Sequence, residues 1–173
     1  AAHGPASIAL ERAAELTTEP GLAARRLVAA AERAWLGGEP HRTKLLLARV
    51  PADLRTGTAD QPAGEIELTA GAARPAERTL LRAAARLTER DRHRALAALL
   101  RAGEAACLAG DYARYPAIAR QAGALRQPGE PPALELVFEQ FAGQAALFQG
   151  RLAAAVGPLR RVFSLATGLD DAR

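Results

Sequence analysis

Cysteine is almost missing from this chain, and methionine is missing altogether. With Cys107 alone there is no internal disulfide and no cysteine-based metal framework. Aromatic residues make up only 4% of the sequence. Valine, isoleucine and threonine are sparse and never alternate with polar residues, which argues against a sheet. Arginine, glutamate or glycine interrupts every apolar stretch before it reaches a membrane-spanning length. No signal peptide is visible, and a cytoplasmic location is expected. The chain starts on alanine and has no methionine, so it reads as a segment cut from a larger protein.

Lysine is nearly absent as well. Lys44 is the only one among 23 cationic side chains, and the isoelectric point near 10.2 reflects arginine. The formal charge is only +4. Acidic residues are interleaved with the arginines, whereas a phosphate-binding surface needs clustered cations. Direct contact with nucleic acid is therefore not expected. The densest basic run, Arg90–Asp91–Arg92–His93–Arg94, reads as an exposed turn. His3, His41 and His93 lie far apart and outside any metal-ligand spacing. Cys107 has no basic neighbour in sequence to make it a thiolate. No phosphate-cradling G-x-x-x-x-G-K-[ST] loop occurs. No catalytic residue, metal site or cofactor is expected, and the chain reads as a non-enzyme.

What the sequence has is alanine, the best helix former, in a recurring arrangement. RAGEAACLAGD (101–111) is its clearest copy. AAERAWLGGEP (30–40), AGEIELTAGAA (63–73) and AGQAALFQGRL (142–152) share its layout. Aligned on Gly38, Gly71, Gly110 and Gly150, the copies are 33, 39 and 40 residues apart, the length of a helix pair. Eight residues before each anchor stands alanine: Ala30, Ala63, Ala102 and Ala142. Seven before comes a small residue: Ala31, Gly64, Gly103 and Gly143. Six before comes Glu32, Glu65, Glu104 or Gln144. Glycine inside a helix costs about 1 kcal/mol relative to alanine. Its recurrence at one position predicts a contact where the first helix of each pair meets the second. A turn of roughly 100° per residue carries the Glu/Gln column off that seam. These side chains then line an inner groove, or else lie exposed and paired with arginines on adjacent turns. Trp35, the only tryptophan, is either core or a groove anchor.

Helical spacing predicts a leading helix over 6–17 and helix pairs over about 22–50, 58–88, 93–125 and 132–167 of one helical-repeat domain, 1–173. Leu45, Leu46, Leu47 and Val50 are expected in the core, as is Leu147. Gly57, Asp60 and Pro62 make 52–62 a loop or a frayed helix start. Asp111 is expected to cap a helix over 112–125 that starts late or kinks at Pro116. Residues 126–132 (RQPGEPP) form a loop, Pro158 kinks the last helix, and fraying sets in from Gly168. The fold class is all-α, a right-handed α-solenoid of tetratricopeptide-like helix pairs.

The stretches AERAWLGGEPHRTKLLLARV, AGEAACLAGDY and FAGQAALFQGRLAAAVGPLRRVFSLA resemble the helical-repeat sensor region of large ATP-binding transcriptional regulators of the LuxR type, the MalT-like group. The resemblance implies an effector- or partner-binding module, with the ATP and DNA functions lying outside this segment. The alternative is a tetratricopeptide-type scaffold for protein interaction or self-association without a small ligand. In either case the groove residues are Glu32, Trp35, Glu65, Glu104 and Gln144, and the partner is a protein or small effector.

Overall fold

The computed structural model describes residues 3–55 and 57–170. Among them there are nine α helices and no strand. They are α1 (His3–Glu15), α2 (Pro20–Leu36), α3 (Pro40–Ala48), α4 (Gly57–Thr69), α5 (Ala73–Leu87), α6 (Arg92–Leu108), α7 (Tyr115–Ala124), α8 (Pro132–Phe148) and α9 (Leu152–Asp170). The fold is all-α.

Local chemistry sets most boundaries. The Glu19 carboxylate accepts the backbone N–H of Leu22 at 3.0 Å, and Pro20 opens α2 where no N–H is needed. Asp91 does the same for Arg94 at the head of α6, at 3.0 Å. Four helices end in one motif. Gly38, Gly71, Gly110 and Gly150 have φ of 76°, 78°, 72° and 70°, a left-handed conformation that favours glycine. Each donates its N–H to the carbonyl three residues back. The following residue donates to the carbonyl five back: Glu39 to Ala34, Ala72 to Glu67, Asp111 to Ala106 and Arg151 to Ala146, each at 2.9 Å. This is the Schellman closure, and it satisfies carbonyls that a helix end would leave bare. The anchors chosen from spacing are thus one physical object four times over.

Every helix packs on its predecessor except where the 3₁₀ turn Ala52–Leu54 separates α3 from α4; those two still touch, and α4 also touches α2 and α6. The second helices alternate in length. α3 and α7 have 9 and 10 residues, and α5 and α9 have 15 and 19. Two core clusters meet on α4. Leu46, Val50 and Ala59 belong to one, and Leu68, Leu80, Leu99, Ile118 and Phe141 to the other. Each fully buried leucine or phenylalanine contributes about 1.5–3 kcal/mol.

The small-residue column is a contact. A Cβ built on Gly64 would come within 2.6 Å of Leu80 Cγ, and one on Gly143 within 2.7 Å of Leu159 Cγ. On Gly103 it would come within 2.9 Å of the Tyr115 ring. Ala31, in the remaining copy, is fully buried, and its carbonyl faces the Thr43 hydroxyl at 3.4 Å.

Several expectations are corrected. Gly57, Asp60 and Pro62 are buried residues of α4, not a loop. Asp60 is held there by Arg82 and Arg86 of α5, and Gly57 lies against Arg86 and Leu87, so tertiary contacts override the local breakers. Leu45 is 57% exposed because α3 turns Thr43, Leu46 and Leu47 inward and Leu45 lies between them on the outer side. Leu147 is 39% exposed. Asp111 caps nothing: a turn intervenes, and α7 starts at Tyr115 with Pro116 in its first positions, the late start expected. α9 continues through Pro158 to Asp170 without the fraying expected from Gly168, while residues 171–173 lie outside the described part.

Candidate functional site: two equivalent clefts

The Glu/Gln column falls on the side of α2, α4, α6 and α8 that leaves the glycine seam. Two clefts open there. The first, about 330 Å³, is lined by Glu32, Trp35, Leu36, Gln61, Pro62, Glu65 and Arg94. The second, about 350 Å³, is lined by Leu100, Glu104, Cys107, Tyr115, Gln140 and Gln144. Glu32, Trp35 and Glu65 thus share one cleft, and Glu104 and Gln144 the other. The structure does not gather all five in one place.

The clefts share four lining positions, while Leu36, Pro62 and Arg94 of the first and Leu100 and Tyr115 of the second have no counterpart in the other. Glu32 and Trp35 match Glu104 and Cys107, 72 residues on; Gln61 and Glu65 match Gln140 and Gln144, 79 residues on. Each therefore has a carboxylate and a core-type side chain from one first helix, and an amide with a second Glu or Gln from the next. The offsets are the spacings between alternate anchor glycines, so the clefts recur with every second helix pair.

The carboxylates are not a bare acidic strip. Arg94 on α6 donates to Glu32 Oε1 on α2 at 2.6 Å and to Gln61 Oε1 on α4 at 3.1 Å. Arg101 donates to Glu65 on α4 at 2.8 Å and to Glu104 one turn ahead of it on α6. The hydrogen bond it donates to Glu65 holds the Arg101 guanidinium above its already high pKa, against the opposing effect of burial. Only Glu104 pairs with an arginine on an adjacent turn of its own helix, while Glu32 and Glu65 pair across helices, an arrangement that the sequence did not suggest. These bridges hold three first helices in register and shape the first cleft.

In the second cleft Tyr115 donates its hydroxyl to Gln144 Oε1. Burial pushes the Tyr115 phenol well above its ordinary pKa, so it is neutral and a donor at physiological pH. Its ring meets Phe148 edge-on at 5.1 Å between centroids. Burial, reinforced by Glu104, raises the Cys107 thiol, which keeps it protonated and weakly nucleophilic. Among the described residues no His/Cys/Asp/Glu cluster has a geometry suited to a metal. His41 and His93 are exposed. No described helix is long and apolar enough to cross a membrane.

Gln61, Gln140, Arg94, Arg101 and Tyr115 were missed from sequence. The glutamines could have been found by comparing alternate copies. The Arg94–Glu32 pair spans 62 residues and four interhelix connections, and nothing local signals it. What the clefts offer chemically is an apolar wall with fixed amide and carboxylate hydrogen-bonding groups. No family model matches this chain, and no curated protein or solved structure matches it.

Proposed function

We propose that the chain is a non-catalytic binding module whose ligand lies along the first-helix side and engages both clefts. The carrying observation is their partial equivalence: a carboxylate and a glutamine recur at matching positions, each beside an apolar wall of different make-up, on adjoining helices bridged by Arg101. A ligand matching them has two apolar groups joined by a backbone with amide-like donors and acceptors, as in an extended peptide or an amphiphilic effector. In this reading the helix pairs stack as a right-handed solenoid of tetratricopeptide-like units, supported by the four identical closures and the touching first helices. The chain then acts as the effector- or partner-sensing segment of a LuxR-type regulator, supported by the resemblance of its three repeat stretches. A bound ligand would favour one arrangement of the helix pairs and so bias neighbouring domains.

The test is a thermal-shift screen of the chain against extended peptides and amphiphilic small molecules. Hits should lose their stabilising effect in Trp35→Ala and in Gln140→Ala, one variant per cleft. Hits that stabilise both variants as well as the parent would reject the reading.

A further inference from the structure

A different kind of cavity lies on the other face of α4. Ala63, Ile66 and Glu67 are turned away from Gln61 and Glu65 by the helical repeat. With Lys44 and Leu47 of α3 they line a cavity of about 390 Å³. A second cavity, about 380 Å³, lies between α7 and α8. The two share eight lining positions. Ala63, Ile66 and Glu67 answer to Ala142, Ala145 and Ala146, 79 residues on, and Lys44 and Leu47 to Pro116 and Ala119, 72 residues on. Arg55 of the first, and Ala154 and Pro158 of the second, have no counterpart.

At two of these positions the first cavity carries charge where the second has Ala146 and Pro116. Packing of the helix pair therefore does not call for Glu67 or Lys44. Glu67 is also badly placed for stability. It sits in the last turn of α4, where the helix dipole disfavours a carboxylate. Its Oε2 is shut off from water and accepts no hydrogen bond, so that oxygen loses its solvation without return. The most deeply buried carboxylates have arginines: Asp60 has Arg82 and Arg86, Glu77 has Arg114, and Glu139 has Arg126. Glu67 has no ion pair among the described residues, although Lys44 and Arg55 line the same cavity. Arg55 is engaged with the carbonyls of Leu47 and Val50, each at 3.3 Å. Lys44 is likewise unpaired among the described residues.

We propose that the cavity between α3 and α4 binds a small zwitterion, an α-amino acid with an aliphatic side chain. The ligand's ammonium donates to Glu67, its carboxylate accepts from Lys44, and its side chain lies on Leu47, Ala63 and Ile66. Two opposite charges that line one cavity without pairing each lack a partner. A ligand carrying both charges, separated by a single carbon, answers both at once, which a simple amine or a simple acid does not. The volume falls within the range of small-molecule pockets, roughly 300–1,000 Å³. The site lies apart from the first-helix clefts and does not rest on the reading of them.

The probe is leucine, titrated calorimetrically into the full chain beside leucinamide, which lacks the carboxylate, and N-acetyl-leucine, which lacks the ammonium. Leucine should bind saturably at one site per chain. N-acetyl-leucine should bind about tenfold or more weakly, as loss of a hydrogen bond to a charged group implies, and leucinamide several-fold more weakly. Glu67→Ala installs the residue that the second cavity carries. It should weaken leucine binding by about tenfold or more and melt no lower than the parent. Lys44→Ala should weaken binding several-fold with an unchanged melting temperature. The proposal is overturned if leucine shows no saturable binding, if Glu67→Ala leaves its affinity intact, or if leucinamide or N-acetyl-leucine binds as tightly as leucine. A Glu67→Ala variant that melts below the parent would also overturn it, because the carboxylate would then belong to the fold.

Discussion

Gly143 lies so close to Leu159 that the α8–α9 seam has no space for even one methyl group between them, and Gly64 stands in the same relation to Leu80. Leu80 is fully buried and cannot swing aside. Gly64→Ala should therefore cost about 1–3 kcal/mol by overpacking, although alanine is the better helix former. The melting temperature should fall by about 2–4 °C for each kcal/mol. Leu80→Ala in the same chain should recover part of the loss, giving a non-additive cycle. Gly103→Leu, facing the Tyr115 ring, should be the most damaging of the series. An unchanged melting temperature for Gly103→Leu would remove the contact from the account.

Glycines elsewhere should behave oppositely. Gly110→Ala forces a side chain into φ 72° and should destabilise by about 1 kcal/mol. Gly123, in α7, has open space around the Cβ position and no positive φ. Gly123→Ala should stabilise by up to about 1 kcal/mol through helix propensity. Urea unfolding of the two variants beside the parent measures both signs.

Asp60 is 4% exposed, while its partners Arg82 and Arg86 have half-exposed side chains. Removing the carboxylate leaves two guanidiniums that water can still solvate. Removing both arginines leaves a buried charge uncompensated. Arg82→Ala with Arg86→Ala should thus cost on the order of 3 kcal/mol, and Asp60→Asn about 1 kcal/mol. Equal losses in denaturant melts would show that Asp60 is better hydrated than its burial implies.

The 126–132 loop is tied down by Glu130, which accepts from Arg92 Nη2 at 3.1 Å and from the Gln127 N–H at 2.7 Å. The Arg92 hydrogen bond chiefly holds the Glu130 carboxyl below its ordinary value of 4.5; burial opposes the shift and the Gln127 N–H adds to it. A carboxyl with a lowered folded-state pKa contributes stability above its unfolded pKa. That contribution is lost as pH falls through the folded one. Glu130→Gln should melt below the parent at pH 7, and the gap should close as the pH falls through and below 4.5, the carboxyl's ordinary value. A gap that stays constant over that range would mean the ionised carboxylate is not what holds the loop.

The legible part of this fold was whatever repeats. Four glycines at like spacing identified four helix ends, and the small column identified the seam, because both depend on residues a few positions apart. Asp60 and Pro62 misled for the opposite reason. As local signals they break a helix, and only Arg82 and Arg86, 22 and 26 residues further on, explain the burial of Asp60 inside one. Leu45 misled because a run of three leucines cannot all face inward on a helix. The clefts were half legible. Their glutamates stood in a column, but that Arg94 reaches Glu32, and that Gln61 repeats as Gln140, follows from how alternate pairs stack.

Trp35 is the chain's only tryptophan and lines the first cleft, so its emission reports directly on whether the first-helix side is the binding site. The measurement is a titration of the parent, and of Gln140→Ala in the other cleft, with the strongest ligand from the thermal-shift screen. The account predicts a saturable change in Trp35 emission whose midpoint matches the calorimetric Kd and moves to higher concentration in Gln140→Ala. A ligand that binds by calorimetry while Trp35 emission stays flat, with Gln140→Ala indistinguishable from the parent, would contradict it.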